Sequence, residues 1–416
     1  MNFKNLSLED RGFVPGQLSL LIGPNGCGKS NLVSLLRFLK QVLTGYANQK
    51  TSSLDSALID CLGAPRFLTD ANIKPTPGQM AISYDFEADE FPSGLRYEVS
   101  VRVVGKPSLF HAGEESLHGL RRIGDKPSPF YYMRRMGFNH DTASLFVKDQ
   151  AGGKLQSLAG VTNDILVLRS IGHLLENSGI APDTVPLIKA RRQLLETIAQ
   201  WQFYNANAMN LETIRSSEPR VGLSDTVLDA NGENIATVLD NLSMESLDFE
   251  ERINQSCRQI LPGTRRVRTV RAGRLRLSIE WHMDGAREPF YLSDLSDGTV
   301  RMLCWAVILK SPHPGSLIVI DEPELGIHVS WMPTLARWIK EAADSTQVVV
   351  ITHSADLLDH FSDRVESVHC FRHEGNGLFS LAPLSREILS KRLDVEGWHL
   401  GDLYRVGDPD VGGWPW

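Results

Sequence analysis

Hydrophobic and polar positions change rhythm several times along the chain. Residues 17–22 (Gln-Leu-Ser-Leu-Leu-Ile) predict a short buried strand, and a glycine-rich turn follows it. From about Lys29 to Leu43 the apolar positions Leu32, Leu35, Leu36, Leu39 and Leu43 recur at helical steps. Residues 95–104 alternate, with Leu95, Tyr97, Val99, Val101 and Val103 set against Arg96, Glu98, Ser100 and Arg102. That is the pattern of a half-buried strand, and 79–86 reads as its partner. The stretch 106–262 behaves differently: polar loops near 105–128 and 140–156, then helical patterns at 158–177, 186–204 and 246–260. It reads as an inserted, mostly helical lobe without the sustained heptads of a coiled-coil arm. Beyond it, strand 274–282, helix 297–310, apolar strand 316–320, helix 330–343 and apolar strand 347–351 alternate. Unbroken apolar strands between helices suit a sheet covered on both faces. The expected fold is therefore α/β, a mixed sheet with helices on both faces, divided as 1–105, 106–262 and 263–416.

The 416 residues suffice for a large core, and 42% hydrophobic with 22% charged residues is ordinary for a globular protein. No apolar run approaches a membrane span, and Met1-Asn2-Phe3-Lys4 does not open a secretory signal. Five scattered cysteines without Cys-x-x-Cys spacing argue against a disulfide framework or zinc ribbon, so a cytoplasmic setting is expected. His111, His118 and His140 lack metal-ligand spacing. A net charge of -7 gives no global sign of nucleic-acid binding. Locally, Arg265, Arg266, Arg268, Arg271, Arg274 and Arg276 form either the polar face of a strand pair or a surface for DNA, RNA or an acidic partner.

Three segments carry chemistry. Gly23-Pro24-Asn25-Gly26-Cys27-Gly28-Lys29-Ser30 fits G-x-x-x-x-G-K-[ST], between an apolar strand and an amphipathic helix. Its backbone N–H groups would face a phosphate chain, with Lys29 on the β- and γ-phosphates and Ser30 on Mg²⁺. Leu317-Ile318-Val319-Ile320-Asp321-Glu322 is a buried strand delivering two carboxylates to its C-terminal tip. Asp321 is placed for Mg²⁺ and Glu322 for polarising the attacking water. Leu295-Ser296-Asp297-Gly298-Thr299 opens a helix shortly before the acids and forms a second anion-binding tip. Cys27 reads either as a small filler or as a thiol activated by Lys29 and the helix dipole.

The last segment resembles the ABC signature LSGGQ, with Asp297 in place of the first glycine and Thr299 in place of the glutamine. Pro323-Glu324-Leu325-Gly326-Ile327-His328 resembles the D-loop, with Val329 where the family often has proline, and His353 stands where the family has its switch histidine. These residues resemble the ABC-type branch that includes SMC proteins, RecF and the ATPase domains of OLD nucleases. They are closer still to the compact bacterial AAA family ATPases, which show GPNGxGKSN (here Gly23 to Asn31), LSDGT, IDEPExGxH and THS. The same group carries Leu-x-x-x-Gly-x-Asn, matched by Leu228, Gly232 and Asn234, and an ending like Leu400-Gly401-Asp402-Leu403-Tyr404-Arg405.

The resemblance implies an ABC-type P-loop domain using ATP and Mg²⁺. It further implies a head-to-tail homodimer in which Ser296, Asp297, Gly298 and Thr299 of one copy meet the γ-phosphate held by the other. Catalysis would rest on Glu322, His353 and Lys29. Many members of the group sit in anti-phage systems, controlling a separate nuclease or toxin; a RecF-like DNA-binding role is the alternative. The Q-loop glutamine is not assigned, Gln79 being a weak candidate. A Toprim nuclease is not expected from Asp408 and Asp410, nor a HEPN ribonuclease from Arg135 and His140.

Overall fold

The computed structural model describes residues 2–3, 6–7, 12–45, 53–62, 79–88, 91–103, 110–119, 122–123, 126–127, 129–137, 141–149, 152–273, 275–375 and 377–412. Arg274, His140 and the Gln79 side chain lie outside the described residues. The chain forms two compact units: Met1–Gly12, Gly26–Gln200 and His373–Ser380 make the first, and Phe13–Asn25, Trp201–Arg372 and Leu381–Trp416 the second. The border crosses the phosphate loop, after Asn25.

The first unit contains helix Lys29–Thr44, which buries Leu32, Val33, Leu35, Phe38, Leu39, Val42 and Leu43 on one side, as its spacing predicts. Strand Gln79–Ala88 pairs antiparallel with Phe91–Val103, again as expected, with Leu95, Tyr97, Val99 and Val101 buried. The sheet does not stop there. Phe110–Gly119, Phe130–Arg135, Thr142–Asp149 and Gly152–Ala159 extend it to six antiparallel strands. The region expected to be polar loop and helix up to residue 160 is thus largely strand among the described residues. The cause is burial of polar side chains: Glu115, Ser116 and His118 lie inside a strand whose sequence, FHAGEESLHG, hides its period behind them. Glu115 accepts from the backbone N–H of Val167 (2.6 Å) and Leu168 (2.9 Å) and from the Tyr97 hydroxyl (3.0 Å). The first turn of helix Val167–Glu176 is satisfied by a sheet residue in place of a cap of its own. Helix Leu187–Ala199 follows in the same unit.

The second unit is built on five parallel strands in the order Val368–Gly375, Leu18–Ile22, Gln347–Ile351, Leu317–Asp321, Gln202–Asn205. Residues 202–204, expected as the end of a helix, instead form most of the edge strand. Helix Asp297–Leu309 is buried on nearly every side, Met302 to Ile308 included, and is a core helix, not a surface one. Trp305 donates to the Pro323 carbonyl (3.1 Å), fastening this helix to the loop after the acidic strand. Helices Ile235–Glu245 and Leu247–Ile260 and hairpin Thr264–Ala272/Arg276–Met283 complete the layer, with Trp281 Nε1 donating to Thr264 Oγ1 (2.9 Å). The Leu228–Asn234 element is a buckle. Asn234 accepts from the Asp229 N–H (2.8 Å) and donates to the Val227 carbonyl (3.0 Å), while Gly232 takes φ 78° beside Ile214.

The terminal helix Leu400–Arg405 packs on Ala355–Asp359 through Gly401, where an added Cβ would overlap the Ala355 carbonyl oxygen and the Asp359 carboxylate. Alanine gains roughly 1 kcal/mol of helix propensity over glycine, but overpacking of this kind costs about 1–3 kcal/mol. Gly401→Ala is therefore expected to be net destabilising in urea denaturation; an unchanged or raised midpoint would refute the close approach.

Candidate functional site

The parallel register puts the candidate residues of the second unit at one edge. Asn205 lies opposite Asp321, Asp321 opposite Ile351, and Ile351 opposite Leu21. Beyond that level the strands release Ala206-Asn207, Glu322-Pro323, Thr352-His353 and Gly23-Pro24-Asn25. Three backbone bonds continue the ladder past the strand ends: Ala206 N–H to Asp321 O (3.1 Å), Glu322 N–H to Ile351 O (2.9 Å) and Thr352 N–H to Leu21 O (3.3 Å). This is the C-terminal edge, where open parallel sheets bind ligands.

Asp321 and Glu322 are each held by an asparagine that the motif search did not find. Asn205 Nδ2 donates to Asp321 Oδ2 (2.7 Å), and Asn207 Nδ2 donates to Glu322 Oε2 (2.8 Å). Asn205 also accepts from the Asn207 N–H (2.7 Å), so the two amides form one bracket. The only advance signal is the polar Asn-Ala-Asn closing a short apolar run. Glu322 itself has φ 52°, a left-handed backbone that a non-glycine residue adopts at a cost of about 1–3 kcal/mol.

Glu324 lies mostly buried behind the acids. Its Oε1 accepts from Thr352 Oγ1 (2.7 Å) and from the backbone N–H groups of His353 (3.0 Å) and Ser354 (3.1 Å). Burial pushes its carboxyl above the ordinary range, against the donors that favour the charged form. One carboxylate thus fixes the backbone at the histidine expected to sense phosphate.

At the signature segment, Ser296 caps helix Asp297–Leu309, accepting from Thr299 N–H (3.2 Å) and lying 2.8 Å from Thr299 Oγ1. A Cβ on Gly298 would stand 3.1 Å from the Gly326 carbonyl and 3.0 Å from the Trp331 ring, so the signature and the Pro323–His328 loop are packed back to back.

In the first unit the phosphate-loop glycines Gly26 and Gly28 take φ 79° and 110°, and in the second unit Gly23 takes 149°. Helix Lys29–Thr44 starts at Gly28 without a side-chain cap or an acidic residue in its first turn. No acidic side chain of that first turn opposes an anion. Lys29 is buried with Nζ 3.5 Å from Cys27 Sγ, and Ser30 is exposed. Cys27 is buried, and burial pushes its thiol up despite Lys29, which favours the small-filler reading.

The arginine-rich hairpin is partly neutralised. Arg266 pairs with Glu250 (2.6 Å) and Arg268 with Glu280 (2.9 Å), while Arg276 donates to the Glu218 carbonyl (2.7 Å); Arg265 and Arg271 are exposed. Asp408 and Asp410 are both tied to Arg392. No described helix is long and apolar enough to cross a membrane.

A family model described as "AAA domain, putative AbiEii toxin, Type IV TA system" matches residues 18–359. The chain belongs to this AAA family. No match to a curated protein was found. Among solved structures, the AAA chain is similar to an SMC head bound to the C-terminal winged-helix domain of ScpA, at 14% identity and TM-score 0.49, covering 94% of this chain and 97% of that one. It is also similar to the SMC head domain from Thermotoga maritima, at 14% identity and TM-score 0.43, covering 92% and 97%. The AAA family and the parallel sheet of the second unit agree with the expected α/β class.

If Glu322 polarises the attacking water as the sequence leads one to expect, Asn207→Ala lowers ATP turnover about 10- to 100-fold by loosening it, with nucleotide affinity little changed. Phosphate release beside nucleotide titration checks this, and an unaltered rate would refute it. A second test uses pH. An acid whose folded pKa is raised contributes stability that is present below its unfolded value and lost as pH rises through the folded one. Gln at position 324 keeps an acceptor oxygen and cannot ionise. The stability of wild type relative to Glu324→Gln should therefore fall as pH rises from about 4 toward neutrality; urea titrations giving a constant difference would count against it.

Proposed function

We propose that the chain is an ATP-hydrolysing ABC/SMC-like ATPase that closes as a head-to-tail homodimer around ATP and controls a separate effector in bacterial anti-phage defence. Gly23 to Asn31 would hold the triphosphate, with Lys29 on its outer phosphates. Ser30 and Asp321 would hold Mg²⁺, whose chemistry there is neutralisation of phosphate charge. The fit is supported by the uncapped, acid-free helix start and by Asp321, a hard oxygen donor kept in place by Asn205. Glu322 would polarise the attacking water, and His353 would contact the γ-phosphate from a backbone anchored by Glu324.

The observation that carries the dimer is the back-to-back packing of the signature and the Pro323–His328 loop on one protomer. Both elements are expected to face a second copy, and beside them Leu325 and Val329 remain 39% and 52% exposed. Closure driven by differential affinity for ATP suits a gate. The effector reading is supported by the toxin–antitoxin setting in the family description. The RecF-like alternative is weakened by the ion pairs that occupy Arg266 and Arg268.

Glu322→Gln should reduce turnover by about 10²–10⁴-fold while ATP still drives dimerisation, read by light scattering. Ser296→Arg should abolish both. A folded Ser296→Arg monomer turning over at the wild-type rate would sink the proposal, and salt-dependent DNA binding lost with the hairpin arginines would redirect the output to nucleic acid.

A further inference from the structure

Asp297 presents an electrostatic problem that the signature's glycine-containing relatives do not have. It occupies the first helical position beside Ser296, its side chain is 67% exposed, and the dimer reading brings a triphosphate to this tip. Two unit charges about 6 Å apart at an effective dielectric near 20 repel enough to cost roughly a hundredfold in affinity. A carboxylate left uncompensated there would oppose the ligand that the tip is proposed to receive.

One cation meets it. Arg215, on the short helix Leu211–Ser216, reaches more than eighty positions along the chain to this loop. Its Nη2 donates to Asp297 Oδ1 (2.7 Å) and to the Leu295 carbonyl (2.8 Å), and its Nε donates to the Leu292 carbonyl (3.3 Å). Arg215 is 24% exposed, whereas the Asp297 side chain is 67% exposed, so the guanidinium is the anchored partner of a pair at the surface. The two carbonyl bonds hold the guanidinium on the segment leading into Ser296. Its position is set by backbone as well as by charge.

We infer that Arg215 is a positioning residue for ATP-dependent dimerisation: it cancels the charge of Asp297 and so makes an aspartate-bearing signature able to accept the γ-phosphate of the opposite subunit. The inference rests on the proposed head-to-tail dimer. It assigns to Arg215 an effect exerted through Asp297, without contact to the nucleotide.

The test is a charge-swap series on the full chain, with ATP turnover and ATP-induced dimerisation measured together and folding followed by thermal melting. Arg215→Ala should lower turnover about a hundredfold, the size of the uncompensated repulsion, and weaken the dimer. Arg215→Lys should retain most of the dimerisation. The decisive variant is Arg215→Ala combined with Asp297→Gly, which removes cation and anion together and should recover turnover to within about tenfold of wild type. A purely structural role for Arg215 would leave the double variant as impaired as the single one. That result, or a well-folded Arg215→Ala protein with wild-type turnover, would overturn the inference. Ser296→Arg, run in parallel, separates the two failures. If it abolishes dimerisation while the arginine series does not behave as described, the dimer reading stands and this assignment falls.

Discussion

Everything at the candidate site depends on strand register. Asn205, Asp321, Ile351 and Leu21 stand at one level of four parallel strands. Four loops therefore leave the sheet together, each bringing a polar group to the same edge. Because side chains alternate along a strand, a slip of one residue would turn the carboxylate of Asp321 to the opposite face. Two-sided burial of the apolar runs Leu18–Ile22, Leu317–Ile320 and Val348–Ile351 makes such a slip costly. The chemistry of the loops is thus fixed by the hydrophobicity of residues that never touch a ligand.

Around that edge the protein handles three carboxylates in three ways. Asp321 ends its strand and is steadied by a neutral amide. Glu322 is forced into a left-handed backbone and steadied by a second amide. Glu324 is withdrawn from water and spends its acceptor capacity on Thr352, His353 and Ser354. Amides orient both carboxylates without adding charge.

The candidate residues can be picked out of the sequence wherever they are contiguous. The phosphate loop, the acidic strand, the signature and Thr352-His353-Ser354 are short runs whose residue types leave little choice. The sequence is least informative where partners are distant. Asn207 and Glu322 are 115 positions apart, and Arg215 and Asp297 are 82. Nothing local marks either pair. The 110–159 region departs from the expected loop and helix for a different reason. Strand Phe110–Gly119 buries Glu115, Ser116 and His118 along with Phe110, Ala112 and Leu117, so burial on both faces leaves no polar–apolar alternation to read. Strand Thr142–Asp149 does alternate, with Ala143, Leu145 and Val147 buried, but between short polar turns it resembled loop. The arginine run was readable as composition and not as function, because Glu250 and Glu280 lie outside it.

The backbone angle at Glu322 sets an uncommon relation between robustness and activity. Glycine takes φ near 52° freely, and asparagine visits it more readily than glutamate. Replacement of Glu322 by either would relax the chain at that point while removing the group proposed to polarise water. Inactive forms of this protein can therefore be sturdier than the working one, and selection for a long-lived fold alone would drift toward them.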